Sequence, residues 1–212
     1  MTDFQAVKSP GFCESYVWNN GHEYINSLSS LFACVWAPYT LYRLPLRVHA
    51  HDVILCFIFL NGVASCTFHW GLNQIAGSFD TFTMTTAMVW GCMTVLEHLQ
   101  PPPWVYVPTL TSLCTVYAFM IEFVPLPGSG LDFSIGFACL GAFLIFLLFY
   151  QPRHRSHACV ISFLGFALAR QIGESLCQEA HLSLFWLHSV WHVGASWSAC
   201  ELVLEQNKRL LR

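Results

Sequence analysis

Five residues stand out for the chemistry that their side chains and spacing allow. Ser65 and His69 are four apart, Asp80 follows eleven residues later, and His188 and His192 are again four apart. Residues four apart on an α-helix share a face. Two imidazoles one turn apart can therefore reach a single metal ion, and a third from a facing helix would complete a three-His zinc site with one position open to water. Zinc lowers the pKa of such a water toward ~7 and polarises a carbonyl oxygen. Asp80 could take that water's proton or hold a ligand's second nitrogen. Ser65 could donate a hydrogen bond to a developing oxyanion. Spacing alone is a weak signal: ten His in 212 residues yield about half an HxxxH pair by chance. His181 cannot join His188 and His192 on one ion, because seven residues of helix rise about 10 Å. The other histidines (His22, His49, His51, His98, His154 and His157) fall in loops or at segment ends and read as interfacial. Arg170 and Glu174, also four apart, read as an intramembrane ion pair.

The elements that must position these residues follow from composition. The chain is 55% hydrophobic and only 10% charged, with a mean hydropathy of +0.52. A soluble domain carries roughly 25% charged residues, so a soluble globular fold is excluded. The net charge of −3 leaves no basic field for nucleic acid. The apolar runs are continuous rather than alternating, which argues against a β-barrel. The expectation is an all-α polytopic membrane protein. A span needs roughly 20 mostly apolar residues, and seven candidates read out at 25–42, 51–69, 75–97, 103–122, 132–150, 157–178 and 182–203. They occupy most of residues 1–212 as one domain, with an N-terminal segment 1–24 and a C-terminal tail 204–212. Residues 1–22 are polar and hold no apolar core of a signal peptide.

Orientation follows from Lys and Arg. With the N-terminus lumenal or outside, the cytosolic loops and tail hold Arg43, Arg47, Arg153, Arg155, Lys208, Arg209 and Arg212, against Lys8 alone on the opposite side. This places the N-terminus in the lumen and the C-terminus in the cytosol. The same topology brings Ser65, His69, Asp80, Arg170, Glu174, His188 and His192 into one leaflet, although none of them was used to derive it. Ionisable groups within spans are costly and mark function. Of the ten cysteines, most lie in apolar segments and act as small hydrophobes. Cys13 and Cys177 both fall on the lumenal side, where a disulfide and two free thiols are equally open on spacing alone.

The pattern Ser65-x3-His69-x10-Asp80 with His188-x3-His192 in the last segment resembles the alkaline ceramidase family, within the CREST superfamily of seven-helix membrane hydrolases. Phe12-Cys13-Glu14, followed by Glu23-x2-Asn26-x2-Ser29, is similar to that family's N-terminal segment entering helix one. About a dozen positions carry the specific likeness. The resemblance implies a zinc-dependent amidase that hydrolyses ceramide to sphingosine (a sphingoid base) and a free fatty acid by attack of zinc-bound water. It implies His69, His188 and His192 as zinc ligands, Asp80 as the group handling the water's proton and Ser65 as the oxyanion donor. It also implies a lumenal N-terminus and a Cys13–Cys177 link.

The chain departs from the family at its calcium site. Glu14 and Glu23 match two acidic ligands, but Gly11, Phe12 and Tyr16 stand where the family has Asp, Trp and Asn. Calcium takes six to eight oxygens, so the resemblance implies at most a weak calcium site. The alternative use of Glu14 and Glu23 is solvation or hydrogen bonding at helix ends. The partner expected is a membrane lipid with its head at the lumenal interface, and the compartment is the endoplasmic reticulum or Golgi, with the plasma membrane as the other option. Two other readings share the site residues. One is a CREST-type hydrolase of acyl-ester or GPI lipids. The other is a protein resembling the progestin/adiponectin receptors, a group with the opposite topology.

Overall fold

The computed structural model describes Glu14 and residues 23–71, 74–99, 155–178 and 186–211. The described residues form five α-helices and no strand: α1 (Tyr24–Arg43), α2 (His49–Gly71), α3 (Gln74–Leu99), α4 (Arg155–Gln178) and α5 (Trp186–Arg209). Four of the expected segments match α1 to α4 to within two residues at each end. The expected segments at 103–122 and 132–150 lie outside the described residues, as do Cys13 and the side chains of Glu174 and Cys177.

The last helix corrects the expected boundary at 203. Residues 204–209, read from their charges as a tail, continue α5. Their burial explains this: Val203, Leu204, Gln206 and Asn207 are all enclosed, and a buried backbone must keep its hydrogen bonds internal. At the other end of the chain, the expected N-terminal segment gives way to helix at Tyr24.

Helix α1 packs against α2 and α5, α2 against α3, and α4 against α5. Ala33 and Ala37 of α1, Ile54, Leu55 and Ile58 of α2, and Cys200, Val203 and Leu204 of α5 form a common core. The crossings are close because small residues line them. A Cβ on Gly62 would stand 2.8 Å from Cys34 Sγ and 2.9 Å from the Ser30 carbonyl oxygen, so α1 and α2 meet only over a glycine. A Cβ on Gly194 would overlap the Phe166 ring, which fixes the α4–α5 contact in the same way.

Helix α1 reverses the usual amphipathic order. Its buried face is small or polar: Asn26, Ser27, Ser30, Ala33, Ala37 and Thr40. Its exposed face carries Leu28, Leu31, Val35, Tyr39 and Tyr42. Among the described residues, α2 is the helix long and apolar enough to cross a membrane by length and composition, with a shorter apolar stretch at 157–173.

Candidate metal centre

One end of the bundle gathers the reactive residues. His69 lies in the last turn of α2, Asp80 near the start of α3, and His188 and His192 in the first turns of α5. The i,i+4 spacing puts both α5 imidazoles on the helix face that meets α2. The His69–His188 and His69–His192 ring centroids are 4.9 Å apart, and the His188–His192 centroids 4.8 Å. All three residues are buried, and one donor nitrogen from each lies within 4.8 Å of the others. This group could hold a metal ion. Among the described residues it is the one set of three or more His, Cys, Asp or Glu that converges in this way.

The surroundings fit a cation bound by neutral imidazoles. Glu23 Oε2 lies 2.5 Å from His69 Nδ1. A carboxylate only accepts, so Nδ1 carries the proton and the Nε2 lone pair is left for a ligand bond; a carboxylate on the outer nitrogen is the usual support of a metal-binding His. His192 Nε2 is buried and has no hydrogen-bond partner. An orphaned buried nitrogen costs about 1–3 kcal/mol, and a cation between the imidazoles would satisfy it.

Helix α1 builds the support. Asn26 Nδ2 donates to Glu23 Oε2 (3.2 Å), and Ser189 Oγ of α5 donates to Asn26 Oδ1 (2.7 Å). One polar chain therefore ties α5 and α1 to the ligand on α2. Glu14 accepts from the backbone N–H groups of Ile25 (2.6 Å) and Asn26 (2.8 Å). It satisfies two orphan donors at the start of α1 and places negative charge at the positive end of the helix dipole. The two carboxylates read as a weak calcium site thus serve a helix end and a histidine, and the described residues bring no third carboxylate to them. The helix-end alternative holds for Glu14. Glu23 does what its sequence context did not suggest.

Asp80 is half-buried beside this cluster. Asn61 Nδ2 donates to Asp80 Oδ1 at 2.7 Å and to its backbone oxygen at 2.9 Å. The Ser65 hydroxyl lies close to the carboxylate. Ser30 Oγ of α1 donates to the Asn26 carbonyl oxygen at 2.7 Å and lies 3.0 Å from Ser65 Oγ. Arg170 of α4 lies near enough for its charge to act on Asp80, His188 and His192; its expected ion pair with Glu174 lies outside the described residues. All five expected site residues therefore come together. Asn26, which stood out only within the Glu23-x2-Asn26-x2-Ser29 stretch, joins them through Glu23. Ser30, Asn61 and Ser189 join them without having been singled out. Asn61 alone had a visible signal, since it lies four residues before Ser65 and eight before His69.

A cavity of about 90 Å³ opens beneath this cluster. Asn61, Ser65 and His192 line it together with Ile54, Ile58, Met88, Phe163, Leu202 and Val203. One potential metal ligand, an amide and a hydroxyl thus border a largely apolar slot. Compared with protein-family models, curated protein sequences and solved structures, the chain gives no match.

Proposed function

We propose that this protein is a zinc-dependent membrane amidase that hydrolyses ceramide to a sphingoid base and a free fatty acid. The observation that carries the reading is the convergence of His69, His188 and His192, with Asp80 near, next to a largely apolar cavity that His192 lines. Polar groups that converge at one end of an apolar pocket match a substrate with a polar head and a hydrocarbon tail. The choice of the ceramide amide rests on the sequence resemblance to alkaline ceramidases.

The proposal includes seven membrane spans, a lumenal N-terminus and a cytosolic C-terminus, in the endoplasmic reticulum or Golgi. The distribution of Lys and Arg supports that orientation. The outward Leu28, Leu31, Val35, Tyr39 and Tyr42 support lipid contact, because such a contiguous apolar face is unfavourable in water. Tyr24 and Trp70 pack edge to face at 5.5 Å, at the end of the bundle that holds the site. Paired aromatics suit a membrane interface.

His69, His188 and His192 would hold the zinc, with Glu23 fixing the tautomer of His69. When bound, zinc supplies Lewis-acid polarisation of the amide carbonyl and acidifies water. The Asp80 carboxylate accepts a proton from the attacking water. The Ser65 hydroxyl turns its proton to the carbonyl oxygen as negative charge develops there. Asp80 then delivers the proton to the nitrogen as the C–N bond breaks. Water's oxygen and one hydrogen end on the fatty acid, and its other hydrogen ends on the amine. The apolar cavity holds hydrocarbon and excludes bulk water from the reacting carbonyl.

The test is release of fatty acid and sphingoid base from a panel of ceramides by the purified protein, beside His192→Ala. Zinc-dependent release that disappears in the variant is the expected result. Zinc binding without release from any ceramide overturns the reading, and release from acyl-ester lipids in the same assay would assign the site to an ester hydrolase.

A further inference from the structure

Asp80 must keep a fixed relation to His69 although the two side chains sit on different helices, and its own helix does little to hold it. Thr83, one turn later on α3, donates to the backbone oxygens of Phe79 and Asp80 and not to the carboxylate. Among the described residues, the side-chain hydrogen bond to the carboxylate comes from α2, through Asn61. Asn61, Ser65 and His69 are successive members of one i,i+4 stripe, so a single face of α2 carries a metal ligand, a hydroxyl and an amide.

The Asn61 amide has a defined orientation. The atom facing Asp80 lies 2.7 Å from Oδ1 and 2.9 Å from the backbone oxygen. Both are acceptors when the carboxyl is ionised, so that atom is Nδ2 and not Oδ1. By gripping the side chain and the main chain of one residue together, the amide sets the Asp80 carboxylate against the backbone of α3. Ser65 cannot be the constant anchor in the proposed mechanism, because its single proton serves the substrate oxygen. Asn61 has no such second task, and it borders the cavity at the level of the reacting groups.

We propose that Asn61 is a positioning residue that holds the Asp80 carboxylate in line with the metal site through the catalytic cycle. The proposal rests on the reading of Asp80 as the proton acceptor in amide hydrolysis. A purely structural role predicts a different outcome from substitution. Leu has nearly the shape of Asn and no donor, so Asn61→Leu preserves packing between α2 and α3 and removes only the hydrogen bonds.

The experiment compares wild type, Asn61→Leu, Asn61→Ala and Asp80→Asn in the full-length protein, by ceramide hydrolysis, metal content and the visible spectrum of the cobalt(II)-loaded form. The expected result for both Asn61 variants is a 10–100-fold fall in kcat, the size of effect that supporting residues have on metal sites. KM stays within about threefold and the metal is retained. The cobalt bands move in the same direction as in Asp80→Asn, a signature that a packing defect remote from the ion does not produce. The proposal is overturned if Asn61→Leu matches wild type in kcat and spectrum, or if both variants lose metal, kcat and KM together. If wild type hydrolyses no amide, the proposed function fails instead, and the cobalt spectra alone decide whether Asn61 holds Asp80 near the ion.

Discussion

The two ends of the bundle both bury polar side chains, and they do so to different ends. At the far end, Asn207 of α5 closes on the loop between α1 and α2. Its Nδ2 donates to the Leu46 carbonyl oxygen (2.7 Å) and to His51 Nδ1 (2.9 Å), and its Oδ1 accepts from the Leu46 N–H (3.1 Å). Thr94 Oγ1 donates to Gln206 Oε1 at 3.0 Å. This cluster knits a loop and three helices together. It includes a buried atom, Gln206 Nε2, without a hydrogen-bond partner among the described residues, but no set of ligand atoms from those residues gathers around it. At the other end the polar chain Ser189–Asn26–Glu23–His69 terminates on three converging imidazoles, next to a carboxylate and a cavity. Burial of polar groups is common to both ends. Convergence of lone pairs on one point, with room for a substrate beside it, is what separates a candidate site from a structural clamp.

The largest effect that would sharpen this contrast is at the ligands. His192→Ala should abolish zinc binding and reduce turnover to background, as measured by metal analysis and product release, because two imidazoles leave a zinc site with too few protein ligands. Full activity in that variant would place the chemistry elsewhere. Next in size, Asp80→Asn should retain one zinc and lose about 10²–10⁴ in kcat, the usual worth of a positioned acid–base group. Loss of zinc along with activity would make Asp80 a ligand support instead. Smaller again, Glu23→Gln should weaken zinc affinity about 10–100-fold in a chelator competition. The amide can still accept from His69 Nδ1, but it no longer carries the charge that strengthens the bond. An unchanged affinity would return Glu23 to a role at the helix end.

Much of this arrangement is legible before any coordinates, and the boundary of legibility has a physical cause. Pairs within one helix, such as His188 with His192 and Ser65 with His69, show in sequence because the 3.6-residue period fixes who shares a face. The apolar runs show α1 to α4 nearly to the residue, because each is one continuous, mostly apolar stretch between polar or turn residues. Contacts between helices do not show. Glu23 and Ser30 reach α2 only because α1 crosses it over Gly62, a packing fact with no period in the sequence. The end of α5 was misread for the same reason. Glu205, Gln206, Asn207, Lys208 and Arg209 look like a solvated tail, and the burial of Gln206 and Asn207 depends on Thr94, Leu46 and His51, residues more than a hundred positions away. His51 likewise reads as interfacial by position and is buried in the structure.

The smallest expected effect tests the clamp itself. Asn207→Leu removes both bonds to Leu46 and the bond to the buried His51. A hydrogen bond contributes about 0.5–1.5 kcal/mol net, so the thermal midpoint should fall by roughly 5 °C for a chain of this length. Zinc stoichiometry and kcat should stay at wild-type values, because α1 and α2 are also joined near the site through the Ser27 hydroxyl, which donates to the Cys66 carbonyl oxygen at 2.9 Å, and through the Ser30–Ser65 bond. The contrast between the two ends breaks if Asn207→Leu loses zinc or turnover while its midpoint is unchanged. The far cluster would then be coupled to the metal site along α5, whose one rigid body carries Asn207 at one end and His188 and His192 at the other, and the clamp would set the register of the ligands rather than the stability of the loop.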